Sequence, residues 1–204
     1  MGVQQRRERE REGLRQEILD AARAMFVKDG YDNVSIRKIA HQIEYAPGTI
    51  YLYFKDKSDI FETLCQETFA KLSARLRAIS VDRGDPLEKL RRAGRAYIEF
   101  AVQNPNHYMV AFVLKGKYTS EAQDPARTHS SGEACFNNLR EIVEQCIQQG
   151  RLRITDVEEV SQTLWACVHG ISALLISQCG FPFIEQSRLI DRVVDVTIEG
   201  VRKK

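Results

Sequence analysis

The chain has 204 residues, 43% hydrophobic and 28% charged, which supplies one substantial core, or a small domain joined to a larger one, and argues against global disorder. No run of about 18 uncharged apolar residues occurs, and Met1-Gly2-Val3-Gln4-Gln5-Arg6-Arg7 has no apolar stretch behind its charges, so neither a membrane span nor a signal peptide is expected and the protein should be cytoplasmic. A formal charge of +2 decides nothing about nucleic acid, and five cysteines without a C-x-x-C pair read as reduced thiols behaving as small hydrophobes.

Residues 6–15 alternate Arg and Glu, which at helical spacing sets opposite charges one turn apart. The segment reads either as a solvated helix extension or as a basic arm that reaches phosphates or the adjacent minor groove. From Leu14, apolar residues at Ile18, Ala21, Ala22, Met25 and Phe26 keep the three-and-four spacing of one helix face, closed by Asp29-Gly30. Ser35 then caps a short second helix carrying Ile36, Ile39, Ala40 and Ile43 inward, and Pro47, at home in a helical first turn, starts a third through Phe54. A long fourth helix follows, with Asp56 or its neighbours as cap and Ile60, Phe61, Leu64, Phe69, Leu72 and Leu76 as its stripe.

Pro86 opens a further helix and Asn104-Pro105 closes it; a shorter one holds His107, Tyr108, Met109 and Phe112, and residues 115–128 read as a loop. Phe136, Leu139, Ile142, Val143, Cys146 and Ile147 mark a long helix ended by Gly150. Residues 157–179 are apolar on most sides after Leu164 and need cover on more than one face, and residues 184–201 form a last helix with a broad apolar band. Nothing alternates with the period of two that strands require, so the expected fold is all-α with about nine helices.

The segment 46–54 has the form of the second helix of a helix-turn-helix. Ile50 and Phe54 lie four apart and face the core, while Thr49, Tyr51, Leu52 and Tyr53 point outward, where hydroxyls reach phosphate oxygens. Arg37, Lys38, Lys55 and Lys57 border the same track. The bland alternative is that Tyr51 and Tyr53 only cover a core.

Ile18-Leu19-Asp20-Ala21-Ala22, Phe26, Gly30-Tyr31, Val34-Ser35-Ile36-Arg37-Lys38-Ile39-Ala40 and Gly48-Thr49-Ile50-Tyr51-Leu52-Tyr53-Phe54-Lys55-Asp56-Lys57 resemble the N-terminal domain of TetR/AcrR-type regulators. The resemblance implies a three-helix DNA-binding domain over residues 1–57 and an effector-binding and dimerisation domain over 58–204. It also implies that Ser35, Arg37, Gly48, Thr49, Tyr51, Tyr53 and Lys57 sit where such proteins commonly touch DNA, with Leu52 at a variable position that reads a thymine methyl or stays silent. Glu44-Tyr45 departs from the small Gly-Val-like turn usual in the family.

Trp165-Ala166-Cys167-Val168-His169-Gly170 resembles the Trp-x-x-x-His-Gly signature of one effector-domain subfamily, and Trp165 and His169 share a helix face. His169 is then either a satisfied core histidine packed on Trp165, or both line an effector cavity with Tyr97, Phe100, Tyr108, Met109 and Phe112. The expectation is a homodimer through the last two helices that presents two recognition helices to a pseudo-palindromic double-stranded operator and is released by a small apolar or amphipathic effector. Neither a cofactor nor a metal is called for: His41, His107 and His129 are isolated, and Cys167 and His169, two apart, face differently. No catalytic motif of the nucleophile-elbow, phosphate-loop or dinucleotide type occurs, so an enzyme is not expected; a helical adaptor is the alternative, though it leaves Thr49, Tyr51, Tyr53 and Lys57 without a purpose.

Overall fold

Nine α-helices and no strand occur among the residues described by the structure, a computed structural model covering 2–114, 130–177 and 180–203. They are α1 (Val3–Asp29), α2 (Ile36–Gln42), α3 (Pro47–Ile50), α4 (Lys57–Ser80), α5 (Pro86–Gln103), α6 (Pro105–Tyr108), α7 (Ser130–Gln148), α8 (Val157–Ile176) and α9 (Gln186–Val201). The expected loop at 115–128, His129 and Cys179 lie outside the described residues. No described helix is long and apolar enough to cross a membrane.

Local chemistry sets the helix ends. Ser35 accepts from the Lys38 amide, Asp85 from Leu87, and Asp156 from both Glu158 and Glu159. Gly150 closes α7 at φ +63°, its amide donating to Ile147 and the next amide, of Arg151, to Cys146, the paired bonds of a left-handed helix stop. The residues before Pro86 and Pro105 leave the helical region, as the proline ring requires. Where periodicity predicts one short helix after Pro105, α6 instead passes into a π-helical turn, Met109–Leu114. The wider winding buries Val110 and Ala111, and the Val110 carbonyl accepts from the Cys65 thiol at 3.9 Å.

The chain packs as two compact units. Met1–Thr68 with Asn106–Gln123 forms the first, whose core gathers Ile18, Leu19, Ala22 and Phe26 of α1, Ile36 and Ile39 of α2, Ile50 of α3 and Ile60 and Leu64 of α4. Phe26, Tyr31 and Phe61 lock its centre with ring centroids 5.0 to 5.5 Å apart, Phe61 edge-on to both others. Phe69–Pro105 with Asp124–Lys204 forms the second. There α5 packs against α7, α8 and α9, and Gly94 allows the approach, since a Cβ added there would already touch Val194 and Val168 at 3.4 and 3.5 Å. Arg91 reaches Asp195 and Glu199 across the α5–α9 contact, and Arg95 reaches Asp191. Among the described residues one isolated antiparallel bridge, Leu152 to Arg202, ties the connection between α7 and α8 to the end of α9.

Candidate nucleic-acid interface and effector cluster

The outward set of the helix-turn-helix is assembled by α2, α3 and the turns around them. Helix α3 is a single turn, and hydrogen bonds from Leu52 to Thr49, Tyr53 to Ile50 and Phe54 to Ile50 continue its winding as far as residue 54. Ile50 and Phe54 are buried, whereas Tyr51 is 58% and Leu52 74% exposed; Thr49 and Tyr53 are half-buried and Gly48 is exposed with open space where a Cβ would stand. Ser35 and Arg37 are exposed at the start of α2, although the Ser35 oxygen already caps the helix. The two lysines differ from free cations: Lys38 Nζ donates to the Asn33 carbonyl at 2.7 Å. Lys57 Nζ donates to the Tyr31 carbonyl at 2.9 Å and lies 4.1 Å from the centre of its ring. Burial pushes the Lys57 ammonium below its ordinary range, and Asp32 opposes the shift.

In the second unit, Tyr97 of α5 meets Trp165 and His169 of α8. The Trp165 indole N–H donates to the Tyr97 hydroxyl oxygen at 3.3 Å, and that hydroxyl lies 2.9 Å from His169 Nδ1. The contact suits a neutral imidazole in either tautomer, the phenol donating to a bare Nδ1 or Nδ1–H donating to the phenolic oxygen. Burial lowers the His169 pKa, in keeping with that form. Trp165 stays 37% exposed, 5.2 Å from the His169 ring and edge-on to Phe136 at 6.0 Å. Phe100 is buried under the Arg75 guanidinium. The other three expected lining residues belong to the first unit, where Tyr108 is buried against Phe112 at 5.0 Å, with its hydroxyl pKa raised by burial, and Met109 is half-buried. Of the cysteines, Cys65, Cys135 and Cys146 are buried, the last two with thiol pKa values pushed up to about 12 by burial, and Cys167 is exposed.

A sequence profile described as "Bacterial regulatory proteins, tetR family" matches residues 18–64, and one described as "Tetracyclin repressor-like, C-terminal domain" matches residues 90–199, more than half of the chain. The chain belongs to the TetR family. The fatty acid metabolism regulator protein of Bacillus subtilis (strain 168) is 38% identical over 74 residues, covering 36% of this chain and 38% of that protein. The repressor KstR of Mycobacterium tuberculosis is 31% identical over 90 residues, 44% of this chain and 39% of that one. These matches take in less than two thirds of the relatives' own length. Among solved structures, the regulator FadR from Bacillus subtilis in complex with stearoyl-CoA superposes with a TM-score of 0.77 at 23% identity, covering 91% of this chain and 98% of that one. The ketosteroid regulator KstR2 of Mycobacterium tuberculosis gives 0.73 at 20%, covering 93% and 95%. At such identities these likenesses carry the fold. The relatives named are transcriptional regulators, not enzymes.

Within this TetR-family chain, the unusual turn between α2 and α3 has a visible cost. Glu44 adopts φ +60°, the only positive φ at a non-glycine among the described residues. It stands where a small Gly-Val-like turn is usual, and its side chain crowds the backbone in a way glycine would not. The turn still closes, with Tyr45 donating to Ala40 at 2.9 Å. Tyr45, noted in the sequence only as part of an unusual turn, and Arg11, noted only within the Arg and Glu run of residues 6–15, stand beside the recognition segment; the spacing of Arg7, Arg11 and Leu14 on one helix face is the signal that singles out the second.

Proposed function

We propose that the chain is a dimeric transcriptional repressor in which residues 1–57 read a pseudo-palindromic operator and residues 58–204 bind an effector and a second copy. The carrying observation is the division of α3 and its turn: Ile50 and Phe54 are buried while Tyr51 and Leu52 stand exposed, an orientation that has no use in packing and suits a major groove. Ser35, Arg37, Lys38, Gly48, Thr49, Tyr53 and Lys57 complete the contact set, Lys57 chiefly by holding Tyr31 and the start of α4 in place.

Dimerisation through α8 and α9 is supported by an uncovered face. Thr163, Ala166, Cys167, Gly170 and Leu174 run along α8 exposed, Leu174 at 49%, and Val196 of α9 is 62% exposed. Small residues at three-and-four spacing let another helix approach closely, and a two-fold pair would set the recognition segments about 34 Å apart, one turn of DNA. Tyr97, Trp165 and His169 supply polar handles, beside the apolar Phe100, for an amphipathic effector. By favouring a different conformation of the dimer, that effector would weaken operator binding only to the extent that its affinity differs between the two states. Stearoyl-CoA, bound by the structurally similar FadR, is the first probe.

The test is titration of the full chain against DNA flanking its own gene over a range of salt, with and without stearoyl-CoA. Saturable binding that weakens steeply with salt is expected. Absence of binding at low salt overturns the reading, and light scattering that gives a stable monomer overturns the dimer.

A further inference from the structure

The five arginines between positions 6 and 15 fall into two sets. Arg6 is paired with Glu10 at 2.7 Å. Arg15 reaches Glu12 at 3.7 Å and Glu67 at 3.6 Å, with its guanidinium 5.4 Å from the centre of the Phe54 ring. Arg9 donates to the Gln5 carbonyl. Arg7 and Arg11 have no carboxylate within ion-pair distance among the described residues. They stand four apart on α1, with Leu14 three further on, so all three share one face. That face and Glu10, together with Tyr45, Leu52 and Tyr53, bound an open cleft of about 720 Å3. Arg11 lies 5.9 Å from the centre of the Tyr53 ring, close enough for the aromatic face to hold the guanidinium beside the recognition turn. The carboxylate on the cleft, Glu10, is already occupied by Arg6.

A cleft lined by two guanidinium groups without a carboxylate partner, by Tyr45 and Tyr53, and by Leu52 of the recognition turn fits a polyanion that lies against α3. We propose that Arg7 and Arg11 form a second contact with DNA, gripping backbone phosphates that flank the base pairs read by the recognition turn. This inference rests on the DNA-reading role proposed for α3 and adds residues outside the helix-turn-helix to it. At about 1.5 Å of rise per residue, Arg7 stands about 6 Å along α1 from Arg11, a span of about two base-pair steps of DNA. The two arginines therefore address phosphates at separate steps rather than one site. The planar fork of arginine suits bidentate bonds to phosphate. The alternation of Arg and Glu thus serves both purposes that it suggests in the sequence: some pairs stiffen an exposed helix, and two cations are left over for a ligand.

The test uses the full chain and a mixed-sequence duplex of about 40 base pairs, so that phosphate contacts dominate and no operator is needed. Affinity is measured against salt for the wild type, Arg7→Gln/Arg11→Gln and Arg7→Lys/Arg11→Lys. The glutamine variant should show a log–log salt slope shallower by about 2 per protomer, about 0.9 for each lost phosphate contact, while the lysine variant keeps most of the slope. Both positions are exposed, so helix content and thermal melt should not change. A wild-type slope retained by the glutamine variant overturns this inference alone, as does an equal loss in the lysine variant. A wild type that fails to bind at low salt overturns the DNA reading, and this inference with it.

Discussion

The recognition segment and the aromatic cluster of α8 use their side chains in opposite ways. Around α3 four residues divide cleanly, with Ile50 and Phe54 inside and Tyr51 and Leu52 largely outside. On α8, Trp165 and His169 are each partly exposed and partly packed, and both lean on the Tyr97 hydroxyl. Folding and recognition are separable in the first region, because different residues carry them. In the second they share atoms, so a change that alters binding must also alter stability.

The sharpest break of that contrast would come from Phe54→Ala. It should cost about 3 to 5 kcal/mol through lost burial and the cavity left behind, lowering the melting temperature by circular dichroism. Its neighbour on the outside, Tyr51→Ala, should leave the melt within about 0.5 kcal/mol of wild type and weaken operator binding by about tenfold, read by fluorescence anisotropy. If the two variants melt alike, the division of roles around α3 is wrong. In the second region, Tyr97→Phe removes one oxygen that serves two partners and should cost about 1 to 2 kcal/mol in chemical denaturation while also changing effector affinity. A change in affinity with unaltered stability would count against the shared-atom account.

Glu44→Gly should raise stability by about 1 kcal/mol in urea unfolding, since glycine accepts φ +60° without strain. The smallest effect concerns His169. Its folded-state pKa lies below the ordinary 6.5, so the unfolded chain binds the proton more readily. Stability is whole above about 6.5 and falls as pH drops from there through the lowered folded value. His169→Gln should flatten that part of the melting-temperature profile, and an unchanged profile would place the acid sensitivity elsewhere.

The same contrast explains what could be read from the sequence. Ser35, Pro47, Ile50 and Phe54 act through neighbours within about one helical turn, so caps and spacing suffice to place them. The sharing of one face by Trp165 and His169 follows from their spacing too, but the oxygen that joins them comes from Tyr97, 68 residues from Trp165, and depends on how α5 packs on α8. Periodicity also gave no warning of the π-helical turn after Tyr108, whose apolar residues would suit an α-helix equally well. The Arg and Glu run was visible, yet which arginine keeps a carboxylate depends on rotamers and on Glu67, far along the chain.

Trp165 is the one tryptophan in the chain. Its indole N–H rests on the Tyr97 hydroxyl, and its ring lies 5.2 Å from His169. A protonated imidazole quenches indole emission by electron transfer, whereas the neutral ring does so weakly. Selective excitation of tryptophan therefore yields an optical titration of His169 in the unlabelled protein, with emission dimming as the pH falls, and the same signal can follow an amphipathic molecule arriving at the cluster in a stopped-flow trace.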